Sequence, residues 1–351
     1  MVKSNIKPEP FPLMVLKRIL HKPARFPYFV QLDITNACNL TCKMCPIHHV
    51  GIEKTHIEYE TFKKIIDRLE GVKEISLVGL GEPLTHPRIL DSIKYCKAKG
   101  MIVKITSNGL LLNSDKKIRE IILSGLDTIS FSLESINGNS TDEIAHRDKE
   151  VLKNIKMFCA LKEEMEVDTP KISFQTVLFK DREQDVYDVI EWGANNNIHR
   201  INVLRMHMYF DNGLERPGRE KEKEVFREFS RLRKKYNVRI DCLQDQFFTG
   251  FMGFLYKHFK YFLRMDSCCT RLLDYPLINH DGDMLPCCVL PNSKFGNVLE
   301  EDINDIWHGD RINNFRRNHQ KVKTCSKCDC WRVQQIVEDS VNNDQAKVTL
   351  K

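Results

Sequence analysis

Six apolar stretches alternate with stretches of helical periodicity from residue 27 onwards, and this alternation constrains the fold more than any other feature of the sequence. The apolar stretches are nearly continuous in hydrophobic residues, which is typical of strands buried on both faces. In the first helical stretch, Phe62, Ile65 and Leu69 fall on one face and a glycine follows. The alternation predicts an α/β fold with a parallel sheet covered by helices. The predicted strands are residues 28–35, 74–83, 101–109, 127–135, 170–179 and 200–206, and the predicted helices are residues 58–71, 88–100, 115–125, about 149–163 and 185–197.

Polar and glycine-bearing segments lie at the ends of the first four predicted strands. A cysteine-rich loop follows the first strand, "GLGEP" (79–83) closes the second, "TSNG" (106–109) closes the third and "SLES" (132–135) closes the fourth. The carboxyl ends of parallel strands meet at one edge of a sheet, and ligands bind there. The sequence therefore predicts a ligand site at this edge.

The thirteen cysteines of the 351-residue chain are grouped rather than spread like a disulfide framework. Seven lie between Cys268 and Cys330, and the first residues lack the pattern of a signal peptide. We therefore expect a cytoplasmic protein whose reduced thiols ligate metal or take part in catalysis. The net charge of +6 is modest for this length and does not indicate nucleic acid. No run of eighteen apolar residues occurs, so no transmembrane helix is predicted.

Cys38, Cys42 and Cys45 stand close together in the loop after the first strand. With His48 or His49, they could form a tetrahedral Cys₃His zinc site of purely structural role. Alternatively, three thiolates could hold an iron–sulfur cluster in which one iron has no protein ligand. The short segment alone leaves both interpretations open.

The spacing of these three cysteines resembles the signature of the radical S-adenosylmethionine (radical SAM) enzymes. "GLGEPL" (79–84), "TSNG" (106–109) and "SFSLES" (130–135) are similar to the family's motifs after the second, third and fourth strands. The resemblance implies a SAM-binding [4Fe–4S] cluster on Cys38, Cys42 and Cys45. The residues that it implies for contact with SAM are Gly79, Gly81, Glu82, Ser107, Asn108, Ser132 and Glu134.

Two positions depart from the usual pattern of that family. Met44 stands where an aromatic residue often precedes the third cysteine, and its polarizable sulfur can cover a ring face as well. Leu80 replaces the second glycine of the usual Gly-Gly-Glu sequence. This second change bears on the pose of Gly81 and Glu82, not on the resemblance itself.

A second group of cysteines resembles the SPASM extension, which follows the radical SAM core in many members. The resemblance implies an auxiliary [4Fe–4S] cluster, and "DG" at 281–282 predicts a hairpin turn that brings the flanking cysteines together. A Cys₄ zinc ribbon is the alternative, and Cys268 or Cys288 could replace its neighbour as a ligand. Only Cys330 follows the last of the implied ligands, so we expect one auxiliary cluster, not two. Those ligands are Cys269, Cys287, Cys325 and Cys328.

The expected architecture is a partial (β/α)₆ barrel followed by a small cysteine-rich α+β domain of the SPASM/twitch type. The charged stretch 215–236 predicts a helix with a solvated face. The aromatic stretch 246–262 favours a packing helix between domains over contact with a membrane or an apolar substrate. The predicted divisions are an N-terminal extension (1–26), the radical SAM core (27–210), a helical bridging segment (211–265), the auxiliary domain (266–335) and a tail (336–351).

The resemblance implies an enzyme that cleaves SAM reductively to a 5′-deoxyadenosyl radical and removes a hydrogen atom from its substrate. Ferredoxin or flavodoxin is the expected electron donor. We expect a small carbohydrate, amino-acid-like or lipid-linked substrate, with oxidation, epimerisation or dehydration as the outcome. Modification of a peptide or protein is the first alternative, and a zinc-bearing protein without enzymatic activity is the second.

Overall fold

Ten strands form one sheet in a computed structural model that describes residues 23, 27–137, 143–198, 200–206, 213–242, 269, 271–326 and 328. The first seven strands are parallel to one another and adjacent in chain order. They are β1 (Phe29–Leu32), β2 (Glu74–Leu77), β3 (Ile102–Ser107), β4 (Thr128–Ser132), β5 (Lys171–Leu178), β6 (Arg200–Arg205) and β7 (Arg239–Asp241). The predicted α/β class with a parallel sheet is confirmed.

Helices join the parallel strands and cover the sheet. Phe62, Ile65 and Ile66 of the first helix are buried, as the periodicity predicts, because an amphipathic helix turns its apolar stripe towards the sheet. On the fourth strand, Phe131 meets Phe158 of the helix that follows it, edge to face at 5.8 Å. The helices are α1 (Tyr59–Arg68), α2 (Ile89–Ala98), α3 (Asp115–Leu123), α4 (Glu143–Glu164), α5 (Glu183–Asn195) and α6 (Arg219–Tyr236).

The charged helix α6 has two different faces. Ion pairs three residues apart, such as Lys223 with Glu220, lie on its exposed face, as the charge pattern predicts. Val225, Phe226 and Phe229 are buried on the other face. The helix leads into β7, which pairs with β6 and extends the sheet by a seventh parallel strand that the sequence pattern did not predict. The division at residue 210 stays a prediction.

A hairpin after the parallel strands extends the opposite side of the same sheet. Its strands are β8 (Leu277–Ile278) and β9 (Asp283–Leu285), and β10 (Gly296–Asn297) lies beyond them. β8 runs parallel to β1, so that Gln31 faces Leu277 and Leu32 faces Ile278. The predicted "DG" turn is present: Gly282 has φ +85°, a conformation that favours glycine. The cysteine-rich part of the chain thus joins the core through a shared sheet.

Short helices complete this carboxyl-terminal part: α7 (Arg271–Asp274), α8 (Ile303–His308), α9 (Asp310–Asn318) and α10 (Lys323–Ser326). Trp307 of α8 is fully buried. The aromatic stretch 246–262 and the tail 336–351 lie outside the described residues, as does all of the predicted 1–26 extension except Pro23. No helix in the described part of the chain is long and apolar enough to cross a membrane.

Candidate functional site

A cavity of about 290 Å³ lies at the carboxyl ends of the parallel strands, where the sequence predicts a site. The three cysteines of the loop after β1, named here the thiol loop, line its wall. The seven residues implied as SAM contacts line it too, so the structure brings all ten together around one space. These ten are Cys38, Cys42, Cys45, Gly79, Gly81, Glu82, Ser107, Asn108, Ser132 and Glu134.

The histidines of the zinc alternative lie elsewhere. His48 and His49 are exposed, and neither lines the cavity. Within the ranges that the structure describes, no three side chains of His, Cys, Asp or Glu are grouped as ligands of one metal ion. The three thiols instead share a space wide enough for a larger group.

Backbone hydrogen bonds fix the thiol loop against the glycine-rich segment after β2. The N–H of Gly81 donates to the carbonyl of Thr35 at 3.1 Å, and the N–H of Glu82 donates to the carbonyl of Ala37 at 2.9 Å. A Cβ on Gly81 would lie only 2.4 Å from the carbonyl oxygen of Ala37. The close approach therefore requires glycine at this position. The departure at Leu80 leaves this contact intact, because both backbone hydrogen bonds form with leucine at that position.

Glu82 connects the second and third strand segments. Its carboxylate accepts hydrogen bonds from the backbone N–H of Leu84 at 3.1 Å and of Asn108 at 2.7 Å. The side chain of Asn108 in turn donates to Asn39 of the thiol loop at 2.8 Å. Burial raises the pKa of Glu82, while these hydrogen bonds and one from Ser107 oppose the shift. Glu82 therefore holds the walls of the cavity in register.

Arg147 of α4 is a cavity residue that the sequence pattern did not reveal. Its guanidinium forms a buried ion pair with Glu134 and donates to Asp148, with the Nη2–Oδ1 distance at 2.7 Å. Nη1 lies 3.8 Å from the sulfur of Cys42. Burial raises the pKa of the Cys42 thiol, and the charge of Arg147 opposes that shift. A fixed positive charge thus lies beside one thiol of the loop.

A second guanidinium lines the wall that β6 contributes. Arg205 forms a bidentate pair with Glu222 of α6, with N–O distances of 2.5 and 2.8 Å, and both side chains are buried. No spacing in the sequence connects these two residues. The cavity therefore has charged groups on two sides, Arg147 beside the thiols and Arg205 away from them.

A smaller cavity of about 80 Å³ lies in the carboxyl-terminal part. All four cysteines implied as auxiliary ligands line it, and Cys288 lines it as well. Burial raises the pKa of Cys325 to about 12, and a bound metal cation would favour its thiolate form. Cys268 and Cys330 lie outside the described residues. The four cysteines implied as auxiliary ligands are Cys269, Cys287, Cys325 and Cys328.

The two cavities adjoin each other. Pro46, next to Cys45 in the thiol loop, lines both of them. The pKa of Cys45 is raised to about 11, chiefly by burial, and Cys288 is one of the thiols whose charge adds to the shift. The amino-terminal and carboxyl-terminal cysteines therefore lie within electrostatic range of each other. Sequence spacing alone gave no indication of this proximity.

Three thiols line one cavity and five cysteines line a second cavity that adjoins it, an arrangement that suits iron–sulfur clusters. Residues 32–193 match the Radical SAM superfamily, and residues 268–329 match SPASM, an iron–sulfur cluster-binding domain. The chain belongs to the radical SAM superfamily and carries a SPASM domain. The alternative of a zinc-bearing protein without enzymatic activity is set aside by this membership.

The relatives that the chain resembles have different substrates. It is 24% identical to the tungsten-containing aldehyde ferredoxin oxidoreductase cofactor-modifying protein of Pyrococcus furiosus, over 86% of this chain and 91% of that protein. It is 28% identical to an S-adenosylmethionine-dependent nucleotide dehydratase of Selenomonas ruminantium, over 53% of this chain and 68% of the dehydratase. Streptococcus suis SuiB bound to S-adenosylmethionine has a similar fold, with a TM-score of 0.67, 18% identity and coverage of 94% of this chain and 78% of SuiB.

The cofactors of this enzyme class are SAM and a [4Fe–4S] cluster in the core, with an auxiliary iron–sulfur cluster in the SPASM domain. The residues present fit them. Three thiols face one cavity without a fourth protein ligand from either nearby histidine. The glycine-rich segment lines the same cavity, and the guanidinium of Arg147, paired with Glu134 and Asp148, lies beside the thiol of Cys42.

Proposed function

We propose that this radical SAM enzyme removes a hydrogen atom from a small metabolite bound at the carboxyl ends of β4 to β6. The cluster and SAM, when bound, supply reductive cleavage and a 5′-deoxyadenosyl radical. The protein binds and orients SAM and the substrate, and it excludes water from the site. The observation that carries the proposal is the single cavity shared by the three cysteines, the motif residues and Arg205.

Each predicted site residue has a proposed part. Cys38, Cys42 and Cys45 ligate the core cluster. Gly79 and Gly81 offer backbone carbonyls to the methionine amino group, and Glu82 keeps that segment in place. The side chains assigned to the carboxylate and ribose of SAM are Ser107, Asn108, Ser132 and Glu134, with Arg147 added from its position on the same wall.

One auxiliary [4Fe–4S] cluster on Cys269, Cys287, Cys325 and Cys328 would accept an electron from the substrate radical or help to hold the substrate. The shared lining residue Pro46 supports this arrangement, because it leaves little protein between the two cysteine sets. Enzymes of this class need an external reductant. We propose ferredoxin or flavodoxin for that part.

The names of two relatives favour a small substrate. One modifies a cofactor and the other dehydrates a nucleotide. Arg205, held rigid by Glu222 on the wall away from the thiols, is a suitable partner for a polar substrate group. Its bidentate partner limits rotation, so a substrate would meet a fixed guanidinium.

Modification of a peptide is the second candidate. SuiB has also been determined with its precursor peptide SuiA, and that structure matches with a TM-score of 0.66 at 17% identity, over 97% of this chain and 83% of SuiB. This chain and SuiB share a fold, and the similarity says nothing further about the substrate. It makes a peptide substrate worth testing beside small metabolites.

An isotope experiment separates the two candidates. Extract from cells grown in deuterated medium is divided by size, and each fraction is added anaerobically to the reduced enzyme with SAM that carries ¹³C in its adenosyl group. Deuterium in the ¹³C-labelled 5′-deoxyadenosine reports hydrogen abstraction from a component of that fraction, because SAM of the extract gives product without ¹³C. We expect label from the small-molecule fraction, unaffected by protease. Label confined to a protease-sensitive fraction would select the peptide candidate, and none from any fraction would contradict hydrogen abstraction.

A further inference from the structure

An open groove of about 470 Å³ lies on the surface of the carboxyl-terminal part, and the proposed function leaves it unused. One side of the groove is the segment that leads into β10, and the other side is α9 with the turn that follows it. We name it the α9 groove. Its charged lining residues are Lys294, Arg311 and Lys321, and none of the described lining residues is acidic.

The three cations of the α9 groove are exposed to solvent. The side chain of Lys294 is 63% exposed, and its Nζ lies 3.5 Å from a carboxylate oxygen of Asp283. The guanidinium of Arg311 donates to the backbone carbonyl of Phe295 at 3.4 Å. Neither Arg311 nor Lys321 forms an ion pair with any residue that the structure describes. Two positive charges of the groove are thus not neutralised by the described part of the chain.

The sequence beside the groove carries charge of one sign. Residues 311–323 contain five basic residues and no acidic one. On the exposed face of α6, by contrast, basic and acidic residues alternate and pair. A surface patch of one sign attracts partners of the opposite sign and speeds their encounter with the protein. The exposed basic residues of this segment are Arg311, Arg317, Lys321 and Lys323.

Phe315 of α9 connects the groove with the 80 Å³ cavity, because it lines both of them. Its ring packs edge to face on Phe295 at 5.3 Å and stacks on His319 at 6.4 Å. Val322 lines the groove, and Cys325, three residues further along the chain, lines the cavity. The groove therefore lies a short way from the cysteines implied as auxiliary ligands.

The position of the groove suits the exchange of electrons. The 80 Å³ cavity meets the 290 Å³ cavity at Pro46, so shared lining residues connect the groove with both cysteine sets. Enzymes of this class need an external reductant. Electron-transfer partners form small, transient interfaces, below about 1,200 Å² in total. A compact groove with basic side chains at its edge meets that need for an acidic partner.

We propose that the α9 groove docks a small acidic electron-carrier protein, which exchanges single electrons with the auxiliary cluster behind Phe315. This inference rests on the auxiliary cluster and the external reductant of the proposed function, and it holds for either substrate candidate. In the reducing direction one electron passes from the carrier to the oxidised cluster, and no bond forms or breaks. Arg311 and Lys321 attract the carrier and orient it.

Binding is tested with a purified flavodoxin of acidic composition and the full chain with its clusters. Microscale thermophoresis gives the dissociation constant at low and at high salt. We expect salt to weaken binding at least tenfold, because at physiological ionic strength exposed charges are screened beyond about 8 Å. Binding that does not respond to salt, or no binding at low salt, would overturn the proposal.

A charge-reversal variant locates the docking surface. Arg311→Glu with Lys321→Glu should raise the dissociation constant of the flavodoxin at least tenfold at low salt. Lys64→Glu with Lys156→Glu is the matched control, because it gives the same net charge at exposed positions of α1 and α4. Both double variants should keep the thermal midpoint and the iron content of the wild type. Equal loss of affinity in the two would overturn the proposal.

Electron transfer is measured without SAM or substrate, so the result does not depend on the proposed hydrogen abstraction. Stopped-flow absorbance follows oxidised clusters as reduced flavodoxin is added. The groove variant should slow the bimolecular phase at least tenfold. Dithionite, which needs no docking surface, should reduce both proteins equally and support equal deoxyadenosine formation. Equal rates with flavodoxin would overturn the proposal.

The route through the auxiliary cluster is tested in a Cys325→Ala background. The groove variant should there slow electron transfer from flavodoxin less than threefold, because the cluster behind Phe315 is lost. A tenfold slowing in that background would overturn the assignment to the auxiliary cluster.

A single-stranded oligonucleotide is the competing anionic partner. We expect the oligonucleotide to bind at least tenfold more weakly than the flavodoxin at the same salt. Tighter binding that depends on Arg311 and Lys321 would overturn the proposal and assign the groove to nucleic acid.

Discussion

Glu82 Oε2 accepts a hydrogen bond from the backbone N–H of Asn108 at 2.7 Å, across 26 positions of sequence. The bond joins the segment after β2 to the end of β3 in the wall of the 290 Å³ cavity. The other carboxylate oxygen of Glu82 accepts a hydrogen bond from the backbone N–H of Leu84. A residue whose family motif suggests contact with SAM therefore also holds two strand ends together.

Replacing Glu82 by alanine should destabilise the protein. The change leaves the N–H groups of Leu84 and Asn108 without their acceptor, and an unsatisfied buried donor costs about 1–3 kcal/mol. We expect a lower thermal midpoint and loss of iron from the amino-terminal cluster. Circular dichroism melting and iron analysis measure these effects. Glu70→Ala, at an exposed position, is the control, and equal midpoints for the two variants would contradict the prediction.

Gly81→Ala should disturb the thiol loop without removing any thiol. The added Cβ would lie 2.4 and 2.5 Å from the carbonyl oxygens of Ala37 and Thr35, both backbone atoms that cannot rotate away. We expect weaker SAM binding and at least tenfold slower deoxyadenosine formation. Gly218→Ala is the matched control, because nothing lies within 4 Å of its added Cβ. Wild-type rates in Gly81→Ala would show that the loop can shift freely.

Cys42→Ala should abolish deoxyadenosine formation from SAM with dithionite, because the core cluster would lose one of its three thiolates. Cys96→Ala serves as the control: Cys96 is a buried thiol of α2, packed in the hydrophobic core. That change should cost about 1 kcal/mol of stability and leave SAM cleavage intact. Chromatography of the anaerobic reaction mixtures measures both. Continued turnover in Cys42→Ala would remove this cysteine from the mechanism.

Much of this site was predictable from local sequence. Apolar strands and amphipathic helices specify a parallel sheet, and parallel strands put the segments after them at one edge. That geometry is why Cys38, Gly81 and Asn108 lie on one cavity although they are far apart in sequence. The individual motif residues came from the resemblance to the radical SAM family, which required no knowledge of side-chain packing.

The partners that sequence did not predict depend on long-range packing. Arg147 reaches Glu134 only because α4 starts beside the end of β4, and Arg205 reaches Glu222 only because α6 packs on the sheet. The pairing of β8 with β1 joins segments about 245 residues apart, which no local pattern encodes. Asp33, which follows β1, and His280, which follows β8, line one cavity for the same reason.

The auxiliary ligands can be tested through iron content. Two [4Fe–4S] clusters correspond to about eight irons per chain, and Cys325→Ala should lose about half of them while SAM cleavage partly persists. Full iron content would mean that this ligand is misassigned. Comparing Cys287→Ala with Cys288→Ala decides between the two neighbours, since both line the smaller, 80 Å³ cavity. We expect iron loss from the first variant only, by iron analysis and Mössbauer spectroscopy.

Asp33 should make the stability of the protein depend on pH. Burial raises its pKa from 3.8 to about 7, so between these values the folded chain keeps a proton that the unfolded chain releases. The contribution of Asp33 to the free energy of unfolding is therefore fully present at low pH and falls as pH rises, by about 1.4 kcal/mol per unit, until about pH 7.

An Asp33→Asn variant lacks this titration. The difference in free energy of unfolding between wild type and variant should therefore shift against the wild type between pH 5 and pH 7, and stay constant above about pH 8. Anaerobic urea denaturation at each pH measures it, with Asp67→Asn as the control because Asp67 is an exposed acid of α1. A pH-independent difference would mean that Asp33 is ionised in the folded protein at pH 5. A charge so deeply buried would then require a cationic partner at its Oδ1.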